Sequence, residues 1–182
     1  MLTETYLLTV ALNLGRKNIE VVLEALRQMQ ADGKPVPQLV IAGSHRKRLR
    51  RYASRAVFGG IQDKLTFIDN PNQTDLVKLY KGALALVMPS RLEGWGLPAG
   101  EALWCGTPAI CSTAEALREV CGDLALYFEP DDASRLAQII EKLNTDIEFQ
   151  HELRKRINEA RPKLRTWNTV ARESLSSIQG LR

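Results

Sequence analysis

The chain has 182 residues, long enough to close a hydrophobic core and within the usual size of one domain. Its 45% hydrophobic and 25% charged residues exclude a disordered chain, and no run reaches the roughly 20 apolar residues of a membrane span. The net charge of +4 is uneven: residues 1–91 carry 14 Lys and Arg against 7 Asp and Glu, and residues 92–182 carry 11 against 14.

Met1-Leu2-Thr3-Glu4-Thr5 lacks the basic region of a signal peptide, so a cytoplasmic location is expected. In chain order, residues 6–12 predict a strand. Residues 18–31 predict an amphipathic helix with Ile19, Val22, Leu23, Leu26 and Met29 at helical spacing, ended by Asp32-Gly33. Strands follow at 38–42, 65–68, 84–88, 108–111 and 124–128, with helices between them at about 45–57, 74–82, 99–105 and 115–120. Helices are then expected at 134–143, at 147–160 with Pro162 as the breaker, and at 166–179. Alternating strands and helices imply a parallel sheet, because parallel neighbours need a crossover. The expected fold is therefore α/β, a Rossmann-like doubly wound parallel sheet of about six strands with extra C-terminal helices.

Cys105, Cys111 and Cys121 are odd in number and lack metal-ligand spacing, so all three are expected reduced and mostly buried. The run His45-Arg46-Lys47-Arg48-Leu49-Arg50-Arg51, with Arg55, is read as a solvated helix face, the alternative being a patch for nucleic acid or anionic lipid. Only Tyr52 is interleaved for base stacking, so no nucleic-acid partner is expected. Glu129-Pro130-Asp131 precedes a helix that Asp132 or Ser134 can cap, and capping is preferred to a metal motif. Neither His45 nor His151 looks like a general base.

The most informative segment is Glu93-Gly94-Trp95-Gly96-Leu97-Pro98-Ala99-Gly100-Glu101, two carboxylates around a glycine-rich turn that joins an apolar strand to an apolar helix. In an open parallel sheet such junctions lie at the carboxyl ends of the strands, where ligands bind and a new helix offers free N–H groups to an anion.

The block Pro89-Ser90-Arg91-Leu92-Glu93-Gly94-Trp95-Gly96-Leu97-Pro98, continuing through Glu101-Ala102-Leu103-Trp104-Cys105-Gly106-Thr107-Pro108, resembles the C-terminal domain of GT-B-fold retaining glycosyltransferases of family 4, glycosyl transferases group 1. Arg16-Lys17-Asn18, Leu39-Val40-Ile41-Ala42-Gly43, Leu76-Val77-Lys78-Leu79-Tyr80, Glu119-Val120-Cys121-Gly122-Asp123, Glu129-Pro130-Asp131-Asp132 and Trp167 with Ala171 extend the resemblance over nearly the whole chain. It implies a nucleotide-diphosphate sugar as donor, with the diphosphate neutralised by basic side chains and a helix N-terminus, so neither a metal nor a cofactor is expected.

On that resemblance Arg16 and Lys17 match the basic pair that meets the diphosphate, the other reading being solvated loop charges. The N–H groups of Gly96 and Leu97 match those that approach the phosphates. Ala11 and Leu12 depart from the family's usual glycine and, in some branches, arginine. Glu101 matches the residue that holds the ribose hydroxyls, and Glu93 the one beside the donor sugar's reacting carbon, as the catalytic residue. Gly94 and Trp95 belong to the same turn; Trp95 either walls the sugar pocket or packs in the core. Asn70, after the third strand, resembles the loop that flanks the base.

The resemblance further implies that the chain is one half of a GT-B fold: residues 1–165 as the nucleotide-sugar-binding domain and residues 166–182 as a helix that crosses back toward an N-terminal domain absent here. The acceptor, a glycan or lipid-linked sugar, would be bound by that domain, and little transfer is expected of the chain alone. Peripheral membrane association of the full enzyme and self-association through an unpaired domain face are further expectations. The alternative is a non-catalytic nucleotide or sugar-phosphate binding module acting as a partner subunit.

Overall fold

The computed structural model describes residues 5–10, 15–43, 51, 54, 56–164 and 166–179. Six strands form one parallel sheet: β1 (Tyr6–Val10), β2 (Gln38–Gly43), β3 (Leu65–Asp69), β4 (Ala85–Met88), β5 (Ala109–Ser112) and β6 (Ala125–Phe128). Their order is β3-β2-β1-β4-β5-β6, with Leu8 paired to Val40 on one side and to Leu86 on the other. The chain thus builds outward from β1 in one direction, returns, and builds outward in the other. Between β1 and β4 the order reverses, the place in a doubly wound sheet where ligands characteristically bind.

The helices are α1 (Ile19–Ala31), α2 (Gln73–Gly82), α3 (Leu97–Trp104), α4 (Glu115–Cys121), α5 (Ala133–Thr145), α6 (Ile147–Ala160) and α7 (Trp167–Gln179). Their apolar stripes explain where they pack. In α1, Ile19, Val22, Leu23, Leu26 and Met29 are all buried, together with Val21 and Ala25. Strands β4 and β5 are buried at every position, as expected of central parallel strands covered on both faces. Each fully buried Leu or Ile in this core contributes about 1.5–3 kcal/mol relative to exposure.

The expected helix at 45–57, its basic run, and the Ala11 and Leu12 positions fall wholly or mainly outside the described residues. Ala56–Lys64, for most of which no element was predicted, is a 3₁₀ stretch with Ile61 buried. Helix α3 begins two residues earlier than expected, at Leu97, because Pro98 suits a helix's first turn, where its missing N–H is not needed. Asp132 caps α5 by accepting a hydrogen bond from the Arg135 N–H at 2.8 Å, the capping role anticipated for this acidic stretch. The cysteines are free; Cys111 and Cys121 are buried and Cys105 partly so. No helix among the described residues is long and apolar enough to cross a membrane.

At the amino ends of the strands, Arg154 of α6 acts as a clasp. Its guanidinium donates to the carbonyls of Ala83 (2.7 Å), Leu84 (3.3 Å) and Gly106 (3.3 Å). Burial pulls its pKa below the ordinary arginine value.

Candidate functional site

The site is assembled at the opposite, carboxyl edge of the sheet from the loops that follow β1 and β4. Arg16 and Lys17 leave the β1 loop, and Glu93 lies in the β4 loop. Lys17 Nζ donates to Glu93 Oε1 at 2.6 Å, and Arg16 Nη1 stands 3.6 Å from Oε2 while donating to the Leu92 carbonyl at 2.9 Å. The Arg91 N–H returns a bond to the Arg16 carbonyl at 3.0 Å, so the two loops are stitched through main chain as well as side chains. Glu93 is only 7% exposed at its side chain and Lys17 14%, whereas Arg16 is 50% exposed. The carboxylate thus lies beneath two cations, the outer one open to solvent.

Asn18 holds this arrangement together. It has φ of 50°, in the left-handed region, and its side chain does not cap α1. Instead Nδ2 donates to the carbonyls of Pro89 (3.1 Å) and Pro130 (2.7 Å), and Oδ1 accepts from Arg91 Nη2 at 3.2 Å. One buried amide therefore ties the β1, β4 and β6 loops. Arg91 also pairs with Asp131 at 2.5 Å, which holds the Asp131 carboxyl below its usual range. In these ion pairs three cationic side chains face two carboxylates, and Glu20 adds a third negative charge near Arg91. Ser112 Oγ donates to the Ser90 carbonyl at 2.5 Å, and the fully buried Ser90 hydroxyl has no hydrogen-bond partner among the described residues.

The turn into α3 explains its glycines. Gly96 has φ of +88°, and a Cβ there would meet Leu117 Cδ2 at 2.5 Å, so both backbone conformation and packing require glycine. Gly94 has no neighbouring atom within 4 Å of where its Cβ would be. The Ala99 and Gly100 N–H groups turn back to the Gly96 carbonyl, whereas the Leu97 N–H, in the first turn, has no partner within the helix. Trp95 is 40% exposed, which excludes the core-packing alternative, and Leu92 and Leu97 are exposed beside it.

Glu101, one turn into α3, does not join the Lys17 cluster. Its Oε2 accepts a bond from Tyr80 Oη at 2.7 Å. Asn70 is exposed and has φ of 42°; its N–H donates to the Gly43 carbonyl at 3.4 Å. It lies at the same sheet edge but after β3, three strand spacings or about 14 Å from β4. Arg16, Lys17 and Glu93 therefore form one cluster, from which the chain runs on through the turn to Leu97, and no hydrogen bond or ion pair joins Glu101 or Asn70 to it among the described residues. His151 is exposed on α6, away from this edge. Among the described residues, no group of three or more His, Cys, Asp or Glu could hold a metal ion.

In the sequence, Asn18, Arg91 and Tyr80 stand only within longer motifs, with nothing local to mark a role for them. Asn18 falls inside the helix predicted for 18–31, whereas α1 begins at Ile19; its partners Pro89 and Pro130 are 71 and 112 positions away. Only the positive φ of an Asn, a residue tolerant of that region, marks it as unusual.

The family model for glycosyl transferases group 1 matches residues 2–163, and the chain belongs to that family. It is 33% identical over 155 residues to the serotype-specific mannosyltransferase WbdA of Escherichia coli, a match covering 84% of this chain and 19% of that protein. Sucrose-phosphate synthase from Thermosynechococcus elongatus superposes with a TM-score of 0.84 at 28% identity, covering 98% of this chain and 46% of that one. The Anabaena protein HepE, solved in complex with UDP-glucose, shares the fold at a TM-score of 0.84 and 16% identity over 98% of this chain and 49% of that one. The chain thus spans about a fifth of the length of WbdA and about half that of these solved structures. They confirm the Rossmann-like half of a GT-B fold.

Proposed function

We propose that this chain is the donor-binding half of a retaining glycosyltransferase, which transfers a sugar from a nucleotide-diphosphate sugar to a glycan or lipid-linked acceptor. The observation that carries the reading is the nearly buried Lys17–Glu93 pair where the β1 and β4 loops meet, with the half-exposed Arg16 beside it. A diphosphate entering there meets two cations and the N–H groups of Gly96 and Leu97. It competes with Glu93 for Lys17, and the carboxylate so relieved faces the sugar beside the diphosphate.

In the reaction, the anomeric carbon exchanges its bond to the diphosphate oxygen for one to the acceptor hydroxyl oxygen on the same face. The electron pair of the broken bond leaves with the nucleotide, and the hydroxyl proton is released. Glu93 stabilises positive charge developing at that carbon, Glu101 accepts from the ribose hydroxyls, Trp95 with Gly94 borders the sugar, and Asn70 flanks the base. Residues 166–182 are assigned to the closing helix that returns to a facing N-terminal domain, whose alignment of the acceptor supplies much of the rate. WbdA is a mannosyltransferase, so a nucleotide-diphosphate mannose heads the donors to test.

The test is calorimetric titration of the chain with UDP, GDP, ADP and the matching nucleosides. One diphosphate is expected to bind better than its nucleoside, and Lys17→Ala to remove most of that difference. Equal affinity for nucleoside and diphosphate would reject the reading. Tight diphosphate binding without transfer in the presence of any N-terminal domain would favour a non-catalytic module instead.

A further inference from the structure

The Tyr80–Glu101 bond crosses from α2 to α3, and its donor is far better fixed than its acceptor. Tyr80 is 1% exposed. Its own carbonyl accepts from Thr107 Oγ1 at 2.7 Å and from the Ala83 N–H at 3.1 Å, and Thr107 is fully buried. Burial first, and the neighbouring carboxylate second, push the phenol well above its ordinary pKa, so Tyr80 donates and Glu101 accepts. Glu101 is half-buried, on a side chain with three torsions whose freezing on ligand binding would subtract from affinity.

We propose that Tyr80 is a positioning residue for nucleotide recognition: by holding Oε2 of Glu101 it fixes the carboxylate in one rotamer and leaves Oε1 for the vicinal hydroxyls of the ribose. This rests on the ribose role assigned to Glu101 above. Tyr80 touches no nucleotide in this account and acts only through the glutamate. A carboxylate oxygen has two acceptor sites, so the phenol orders the group without exhausting it.

The experiment compares wild type and Tyr80→Phe for binding of UDP, GDP and ADP and their 2′-deoxy counterparts. Wild type is expected to prefer the ribonucleotide. Tyr80→Phe should weaken the best ribonucleotide by about three- to tenfold and leave its deoxy counterpart within about twofold, because one ordered hydrogen bond is lost only where the ribose uses it. In a Glu101→Ala background the same substitution should change nothing. Equal losses for ribo and deoxy forms would show a packing role and overturn the proposal, as would no loss at all. A wild type indifferent to the 2′-hydroxyl would overturn the Glu101 assignment itself, a different failure from a discriminating wild type that Tyr80→Phe leaves unchanged.

Discussion

Glu93 is nearly buried, yet what covers it is charge: Lys17 on one oxygen and Arg16 near the other. A charged pair at this depth is costly to leave half-made, since the surviving ion keeps its desolvation penalty without its partner. Glu93→Gln keeps the shape but frees Lys17 for a phosphate. Nucleotide affinity of the chain is expected to stay within about threefold of wild type or to rise, while turnover by the complete enzyme falls by at least about tenfold, as for loss of a transition-state contact. Parallel losses in calorimetry and in the transfer assay would contradict this division. Arg16, Lys17 and Glu93 were legible through the family resemblance, as residues that follow predicted strands. Their direct contact was not legible, since Lys17 and Glu93 are 76 positions apart and only the strand order joins them.

Among the elements, boundaries followed from apolar periodicity and from breakers. Helix α1 ends at Asp32-Gly33 as read, and α6 stops before Pro162. The 3₁₀ stretch at Ala56–Lys64 was not legible, because nine residues with two adjacent glycines carry no helical stripe. Helix α6 matters less for its apolar face than for one cation: Arg154 satisfies three carbonyls at the pole away from the site. Arg154→Met keeps the stem and removes the donors, and should cost about 2–4 kcal/mol of unfolding free energy by leaving buried acceptors unpaired. Denaturant melts should show a lower midpoint, and nucleotide affinity should be unchanged well below it. Loss of affinity at full folding would mean that the clasp reaches the site.

At the scale of the whole molecule, a parallel sheet was legible from the alternation of strands and helices, but its order was not. Periodicity says which residues are inside, not which strands are neighbours. The order β3-β2-β1-β4-β5-β6 is what brings the β1 and β4 loops together, and with them residues from distant parts of the chain. The same packing seals the thiols. Burial pushes the Cys105 thiol up, and the hydrogen bond with Cys121, followed by burial, holds Cys111 well above the usual thiol range. A thiol reagent near neutral pH is expected to modify Cys105 slowly, and Cys111 and Cys121 only on unfolding; rapid reaction of all three in the native protein would contradict the packing described.

Whether a diphosphate lies across Arg16 and Lys17, where the β1 and β4 loops meet, is tested most directly by a crystal structure with the best-binding nucleoside diphosphate. It should place phosphate oxygens within hydrogen-bond reach of Lys17 Nζ, with Arg16 and the N–H groups of Gly96 and Leu97 converging on them. Phosphates bound at any other edge of the sheet, with Lys17 still closed on Glu93, would contradict it.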